Sequence, residues 1–147
     1  MMKNLKGFID SINVNGGCSY NINTGEINPN SGYFVSIAGA EKVVTSLTEE
    51  TVKQYIEDNI DLLITDRVYL GGWFNEGLVY LDCSQQIEEL KTAVRKGIER
   101  GQLAIFNAET KESIYLPSAQ KCGTEYQKRS YIDYSVNRLV LELENCR

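Results

Sequence analysis

The chain has 147 residues, of which 42% are hydrophobic and 24% charged, a balance typical of a globular domain with an ordinary core. Fifteen basic side chains against 20 acidic ones give a net charge of -5. This composition excludes a disordered or fibrous chain, and the mild acidity disfavours non-specific binding to nucleic acid.

Several residue types needed for common catalytic chemistry are missing. The sequence has no histidine, which removes the usual general base at neutral pH and the commonest zinc ligand. No P-loop or dinucleotide-binding glycine motif is present. The four cysteines, none in a CxxC spacing, are expected to be reduced thiols: Cys18, Cys83, Cys122 and Cys146. We therefore expect no enzyme activity, no metal and no cofactor.

No apolar run is long enough for a membrane span, and residues 1–10 lack the apolar stretch of a signal peptide. We therefore expect a cytoplasmic protein without a membrane partner.

Two alternating segments predict a first hairpin. Residues 18–22 and 33–37 have strand character, and the residues between them are rich in Asn, Gly and Ser with one proline. We expect the two segments to pair with each other.

A helix is predicted next, over about residues 48–64. Its apolar residues recur with a helical period: Val52, Tyr55, Ile56, Ile60, Leu63 and Ile64. Its start fits either a capping box of Ser46 with Glu49 or an N-cap at Thr48. The carboxylates of Glu57, Asp58 and Asp61 are expected on its solvated face.

The central hairpin spans residues 69–82 and turns at residues 75–77. It carries the only tryptophan, and strand alternation places Tyr69 and Trp73 on one face with Gly71 between them. Asp82 is expected to end the second strand and to accept backbone N–H groups at the start of the next helix.

A second helix, capped by Ser84, is predicted over about residues 86–100. Gly97 lies on its apolar face, where we expect a close approach to the sheet, and Gly101 fits a left-handed C-terminal cap. A third hairpin follows in residues 102–106 and 113–116, and Pro117 closes it.

The element order ββαββαββ predicts an α+β fold, an antiparallel sheet built from three β-hairpins with two helices packed on it. Residues 118–128 are expected to form a loop. From Ser130 onward the pattern fits a C-terminal helix or strand, and we favour the helix. We expect a core domain over residues 1–117 and a C-terminal extension, 118–147, packed on it or projecting from it.

Aromatic side chains on the central hairpin and in the tail have the composition of protein interfaces, in which tyrosine, tryptophan and arginine are enriched. The candidate partner-binding residues are Tyr69, Trp73, Phe74, Tyr126, Arg129, Tyr131 and Tyr134.

Six motifs follow one another over about residues 15–116: Gly-Gly at 16–17 with Tyr20, Thr-Gly-Glu at 24–26, Ser-Gly-Tyr at 31–33 continuing to Ser36, Leu-Gly-Gly-Trp at 70–73, Val-Tyr-Leu-Asp at 79–82 and Gly-Gln-Leu-Ala-Ile-Phe-Asn at 101–107. In these motifs the chain resembles a domain of uncharacterised phage proteins and of large polyvalent proteins of phages and conjugative elements. The resemblance implies a setting inside a bacterial host cell, and no catalytic residue comes with it.

The leading interpretation is a non-enzymatic protein of a phage or mobile element that binds a host protein complex, for example as an inhibitor of a bacterial defence system such as a CRISPR effector. One alternative is a module that binds or processes a small ligand or nucleotide near Asp82 and Trp73. Another is a nucleic-acid-binding accessory protein using basic side chains: Arg95, Lys96, Arg100, Lys128 and Arg129.

Overall fold

A computed structural model describes residues 3–120 and 122–145, and Cys146 lies outside them. The described residues have five helices and seven strands with antiparallel pairing, which confirms the α+β class. The elements are α1 (Leu5–Asn15), β1 (Gly17–Tyr20), β2 (Tyr33–Ser36), β3 (Lys42–Val44), α2 (Glu49–Asp58), α3 (Ile60–Leu63), β4 (Val68–Asn75), β5 (Leu78–Ile87), α4 (Leu90–Glu99), β6 (Ala104–Asn107), β7 (Glu112–Tyr115) and α5 (Glu125–Asn145).

The chain divides into two compact units. The first unit consists of Met1–Asn30 and Gly39–Gln86, and the second of Ser31–Ala38 and Ile87–Arg147. Residue 117 lies within the second unit, which contains α4, β6, β7 and α5.

In the first unit the strand order is β1-β4-β5-β3. The predicted pairing of the first two strands is wrong: β1 pairs with β4, from Gly17↔Trp73 to Tyr20↔Leu70. The reason is a local reversal right after β1. The Asn21 carbonyl oxygen accepts the Gly25 N–H at 2.8 Å, and Tyr20 bridges Ile27. Residues 21–27 were expected to be part of the connection between β1 and β2, and instead they fold back on β1 itself.

Helix α1 is absent from the predicted element order, and its buried face packs on the sheet of the first unit. Phe8 and Ile12 are 0% and 1% exposed, and both lie against Gly72 of β4. The Phe8 ring also stacks on Tyr20, with ring centroids 5.2 Å apart. A helix therefore covers the strands at the point where β4 has no side chain.

The predicted helix over residues 48–64 exists as two helices, α2 and α3, that meet at Asn59. Thr48 is the N-cap, since its side chain accepts the Thr51 N–H at 3.1 Å, so the alternative start at Ser46 is not used. The Asn59 side chain donates to the Tyr55 carbonyl oxygen at 2.9 Å. This bond satisfies a carbonyl at the end of α2, where the chain leaves the helix.

In the second unit, β6 pairs with β2 on one side and β7 on the other, and the predicted third hairpin is confirmed as β6–β7. Helix α4 begins at Leu90 rather than near residue 86, because β5 remains in the sheet as far as Ile87. Gly101 has φ 67°, which confirms the left-handed cap. The core is formed by Val35, Ala93, Val94, Ile98, Ile105, Ala119, Ile132 and Val136.

Gly97 of α4 provides the predicted close approach. A Cβ atom at this position would lie 2.4 Å from Leu116 Cδ1 and 2.9 Å from Ile105 Cγ2. The absence of a side chain therefore lets α4 pack directly on the β6–β7 hairpin.

The C-terminal segment is helical, as favoured over a strand, but α5 begins at Glu125 within the predicted loop. Thr124 explains the earlier start. Its hydroxyl oxygen accepts the Gln127 N–H at 3.0 Å, and the Gln127 side-chain oxygen accepts the Thr124 N–H at 3.1 Å. This reciprocal pair is a capping box.

Candidate protein-binding surface

The β4–β5 hairpin holds the exposed aromatic residues of the first unit. It turns at Glu76 and Gly77, whose φ angles of 50° and 82° are those of a tight hairpin turn with two left-handed residues. Eight residue pairs hold the two strands in register, from Val68↔Gln85 to Asn75↔Leu78. The predicted central hairpin is therefore confirmed, and it is a fixed support for the side chains it carries.

Trp73 is the centre of this surface. It is 45% exposed and stacks on Tyr80 of the opposite strand, with ring centroids 4.4 Å apart and an interplanar angle of 16°. Tyr80 also lies opposite Val43 of β3, which is 45% exposed. On the other side, Trp73 lies opposite Gly17, which has no side chain to cover the indole.

Phe74 follows Trp73 on the opposite face of the strand and is 54% exposed. Its N–H donates to the Gly16 carbonyl oxygen at 2.9 Å, which fixes the backbone at this point. We call Val43, Trp73, Phe74 and Tyr80 the hairpin patch. Large, half-exposed aromatic side chains on a paired backbone lose little conformational entropy on binding, so they are suited to a protein contact.

Tyr69 shares the strand face of Trp73, but it is only 4% exposed. Its hydroxyl donates to Glu26 Oε1 at 2.6 Å. Burial, and then this bond to a carboxylate, raise the pKa of Tyr69 to about 12. Tyr69 is thus held within the fold of the first unit and offers a partner little surface.

The other four candidates lie on α5. Tyr126 and Tyr134 are 79% and 59% exposed, and Arg129 is also exposed. Tyr134 Oη accepts a hydrogen bond from Arg138 at 2.8 Å. Tyr131 is half-buried and packs against the core of the second unit. The structure therefore places the seven candidates on one hairpin and one helix.

Val43 and Tyr80 are the members of the hairpin patch missing from the sequence-based candidates. Tyr80 lies in the predicted hairpin, but its stacking on Trp73 depends on the cross-strand register. Val43 lies in β3, which was not predicted as a strand. The available signal was the β-branched pair Val43 and Val44, because valine favours strands.

Asp82 does not end a strand or cap a helix, so that prediction is wrong. It lies inside β5, opposite Gly71, and a Cβ atom at Gly71 would be 2.2 Å from the Asp82 Oδ1. The strand continues beyond it because β4 and β5 remain paired as far as Val68↔Gln85. The carboxylate occupies the space over Gly71 that a side chain would fill.

The basic residues considered for nucleic-acid binding are mostly engaged within the second unit. Arg95 forms an ion pair of 2.7 Å with Asp133 and joins α4 to α5. Arg100 donates to the Val35 carbonyl oxygen at 3.4 Å. Lys96 lies 4.0 Å from Glu99. Three of the five side chains therefore have partners in the fold, which leaves less free positive charge for a phosphate backbone.

Cys18 and Cys83 are buried, and burial raises the pKa of both thiols. Tyr55 packs against Cys83, with Oη 3.4 Å from Sγ, and donates to the Ala40 carbonyl oxygen at 2.6 Å. Thiols in this environment are protonated at neutral pH and are poor nucleophiles. Cys18, Cys83 and Cys122 are not in disulfide bonds.

Within the described ranges, no group of three or more His, Cys, Asp and Glu residues is arranged to hold a metal ion. In the same part of the chain, no helix has the length and hydropathy needed to cross a membrane. Every buried side-chain nitrogen or oxygen atom described there has a hydrogen-bond partner.

Comparison with protein families, with curated proteins and with solved structures gives no match. The resemblance to phage and mobile-element domains stays a prediction.

Proposed function

We propose that the protein is a non-enzymatic binding protein and that the hairpin patch contacts its partner. The observation that carries this proposal is the exposure of Trp73 and Phe74, at 45% and 54%, on a fully paired hairpin. Exposed aromatic side chains are costly to solvate, and at protein interfaces they are the residues that contribute most to binding.

The geometry favours a protein partner over a small ligand at this place. On one face of the sheet the hairpin patch places Tyr80 between Trp73, on which it stacks, and Val43, so three apolar side chains stand side by side on a sheet face. Small-molecule sites are usually concave and bury most of their ligand. A protein with a complementary apolar recess would bury the Trp73 indole together with the Tyr80 ring that stacks on it.

The resemblance to domains of phages and conjugative elements directs the choice of partner. On that basis we propose a bacterial host protein, with a defence complex such as a CRISPR effector as the first candidate. Binding alone is enough for such inhibition, so the proposal needs no catalytic group.

The test compares tagged wild-type protein with Trp73→Ala in affinity purification from bacterial lysate, followed by mass spectrometry. Leu103→Ala is the control, because Leu103 is 75% exposed and lies in the second unit, outside the hairpin patch. We expect a stoichiometric partner with wild type and Leu103→Ala, and an affinity at least about 30-fold weaker with Trp73→Ala. Recovery of no partner, or equal recovery with Trp73→Ala, would refute the proposal.

A further inference from the structure

The second unit contains a groove of about 410 Å³ between the start of α4, the C-terminal half of α5 and the β6–β7 hairpin. Its apolar lining consists of Tyr33, Leu90, Ile114, Leu139 and Leu143. Asn107, Thr110, Glu112 and Ser113 contribute polar atoms. None of these residues belongs to the hairpin patch, so the groove is a separate feature of the molecule.

One side of the groove is the free edge of a sheet. In the strand path through the described residues, β7 is the last strand, with β6 on one side. The Leu116 N–H donates to the Leu103 carbonyl oxygen at 2.9 Å, so this pair is hydrogen-bonded in the antiparallel register. Alternation along the strand then directs the N–H and C=O groups of Ser113 and Tyr115 away from β6.

This edge is accessible, since Ser113 is exposed and Tyr115 is 69% exposed. An exposed edge next to an apolar groove is the arrangement that accepts an added strand, with main-chain hydrogen bonds along the edge and alternate side chains in the groove.

The charge around the groove is acidic. Glu112 is the carboxylate among the lining residues, and four more exposed glutamates are next to lining residues in the sequence: Glu89, Glu109, Glu142 and Glu144. The cations next to lining residues in the sequence are Lys91, Lys111 and Arg138, and Arg138 is paired with Glu142 at 3.1 Å. The last turn of α5 contains no basic residue to offset the negative end of the helix dipole.

From this complementarity we propose that the groove binds an extended peptide segment of a partner protein in which apolar residues alternate with lysine or arginine. The segment pairs with the β7 edge through the main-chain groups of Ser113 and Tyr115. Its apolar side chains enter the groove over Leu139 and Leu143, and its cations face the carboxylate of Glu112 and those beside it.

A second copy of this chain is a poorer occupant of the same edge. β7 has the sequence Glu-Ser-Ile-Tyr and contains no lysine or arginine, so the paired strand of a second copy would offer no cation to the carboxylates beside the groove. A segment with alternating lysine or arginine supplies those cations.

The test uses the full chain and a fluorescein-labelled seven-residue peptide of alternating lysine and leucine, with binding followed by fluorescence anisotropy. Glu112→Lys should weaken binding about five-fold, since it replaces an attraction by a repulsion. Glu57→Lys is the matched control, because it makes the same charge change at an exposed position of α2 in the first unit. It should leave the affinity unchanged.

Two changes test the main-chain hydrogen bonds between the β7 edge and the peptide, one in the protein and one in the peptide. Ser113→Pro should weaken binding about ten-fold or more, because it removes an edge N–H without removing a bond to β6. A peptide N-methylated at its pairing positions should lose affinity to a similar extent and leaves the protein unaltered.

Three results would overturn the proposal. The first is equal binding of a peptide with glutamate in place of lysine. The second is unchanged affinity for the N-methylated peptide. The third is a stable dimer in sedimentation that Ser113→Pro dissociates, since the edge would then be occupied by a second copy.

Discussion

Replacing Gly72 by alanine tests how tightly α1 packs on the sheet of the first unit. A Cβ atom at this position would lie 2.5 Å from Ile12 Cδ1 and 2.9 Å from Phe8 Cζ. Both side chains are almost completely buried, at 1% and 0% exposure, so neither has free space into which it could move. The added methyl group must displace α1 or distort β4.

Two opposing effects determine how far Gly72→Ala lowers the free energy of unfolding. Overpacking a core typically costs about 1–3 kcal/mol, and two contacts below 3.0 Å with buried partners place this site in the upper part of that range. Alanine in a strand recovers about 0.5–1 kcal/mol that glycine loses in backbone entropy. We therefore expect Gly72→Ala to lower the free energy of unfolding by about 1–2 kcal/mol.

Ile12→Val supplies a rescue, because it removes the Cδ1 atom that the new methyl group would meet. Alone it should cost about 1 kcal/mol. Combined with Gly72→Ala it should cost clearly less than the sum of the two single changes, because residues in contact are coupled. Urea unfolding followed by far-UV circular dichroism measures all four proteins.

Gly17→Ala is the control, since a Cβ atom there meets its nearest neighbour, the Gly72 carbonyl oxygen, at 3.4 Å, an ordinary contact. It should be neutral or slightly stabilising. Two results would refute the close packing of α1 on β4. One is a Gly72→Ala protein as stable as wild type, and the other is a double variant whose loss of unfolding free energy equals the sum of the losses in Gly72→Ala and Ile12→Val.

Two further predictions concern titratable groups. Because the pKa of Tyr69 in the folded protein, about 12, lies above its ordinary value of 10.0, its contribution is complete below pH 10 and is lost as the pH rises towards 12. In urea unfolding, Tyr69→Phe should cost about 1 kcal/mol at pH 8, and the difference from wild type should shrink above pH 10; a constant difference would contradict the assignment. Iodoacetamide should modify Cys122 before Cys83, because Cys83 is 0% exposed and burial raises its thiol pKa. Equal rates in peptide mass spectrometry would contradict this order.

Local signals predicted the elements that depend on neighbouring residues. The apolar stripe around Tyr55 and Ile56 predicted the helix that became α2, and Thr48 was one of the two starts that the sequence offered for it. The Asn-Glu-Gly sequence predicted the β4–β5 turn. A glycine on the apolar face of α4 predicted the close approach of that helix to the sheet at Gly97. Each of these features is encoded within a few residues of itself.

Strand partners were predicted less well. The pairing of β1 with β4 joins residues about 50 positions apart, from Gly17↔Trp73 to Tyr20↔Leu70, and nothing near Gly17 specifies that partner. Asp82 was misplaced for a related reason. Its environment is set by Gly71 on the neighbouring strand, so the residues around it in the chain suggested a helix cap instead.

For the candidate surface, too, the sequence predicted one part and the tertiary structure decided the other. Residue type identified Trp73 and Phe74, because large aromatic residues in an alternating strand are suited to interfaces. Only the tertiary structure determined that Trp73 is half-exposed and that Tyr69, on the same strand face, is buried with its hydroxyl on Glu26. The register also placed Gly17 beside the indole and Val43 beyond Tyr80.

The sequence by itself determined the α+β class, the β4–β5 and β6–β7 hairpins and the helical periodicity of α2 and α4, because these depend on propensity, pattern and turn chemistry over short distances. The tertiary structure decided the strand partners, the buried or exposed state of each aromatic ring and the acidic groove beside β7. These depend on which distant segments meet, and the free energy of those contacts comes from burial and register rather than from local conformation.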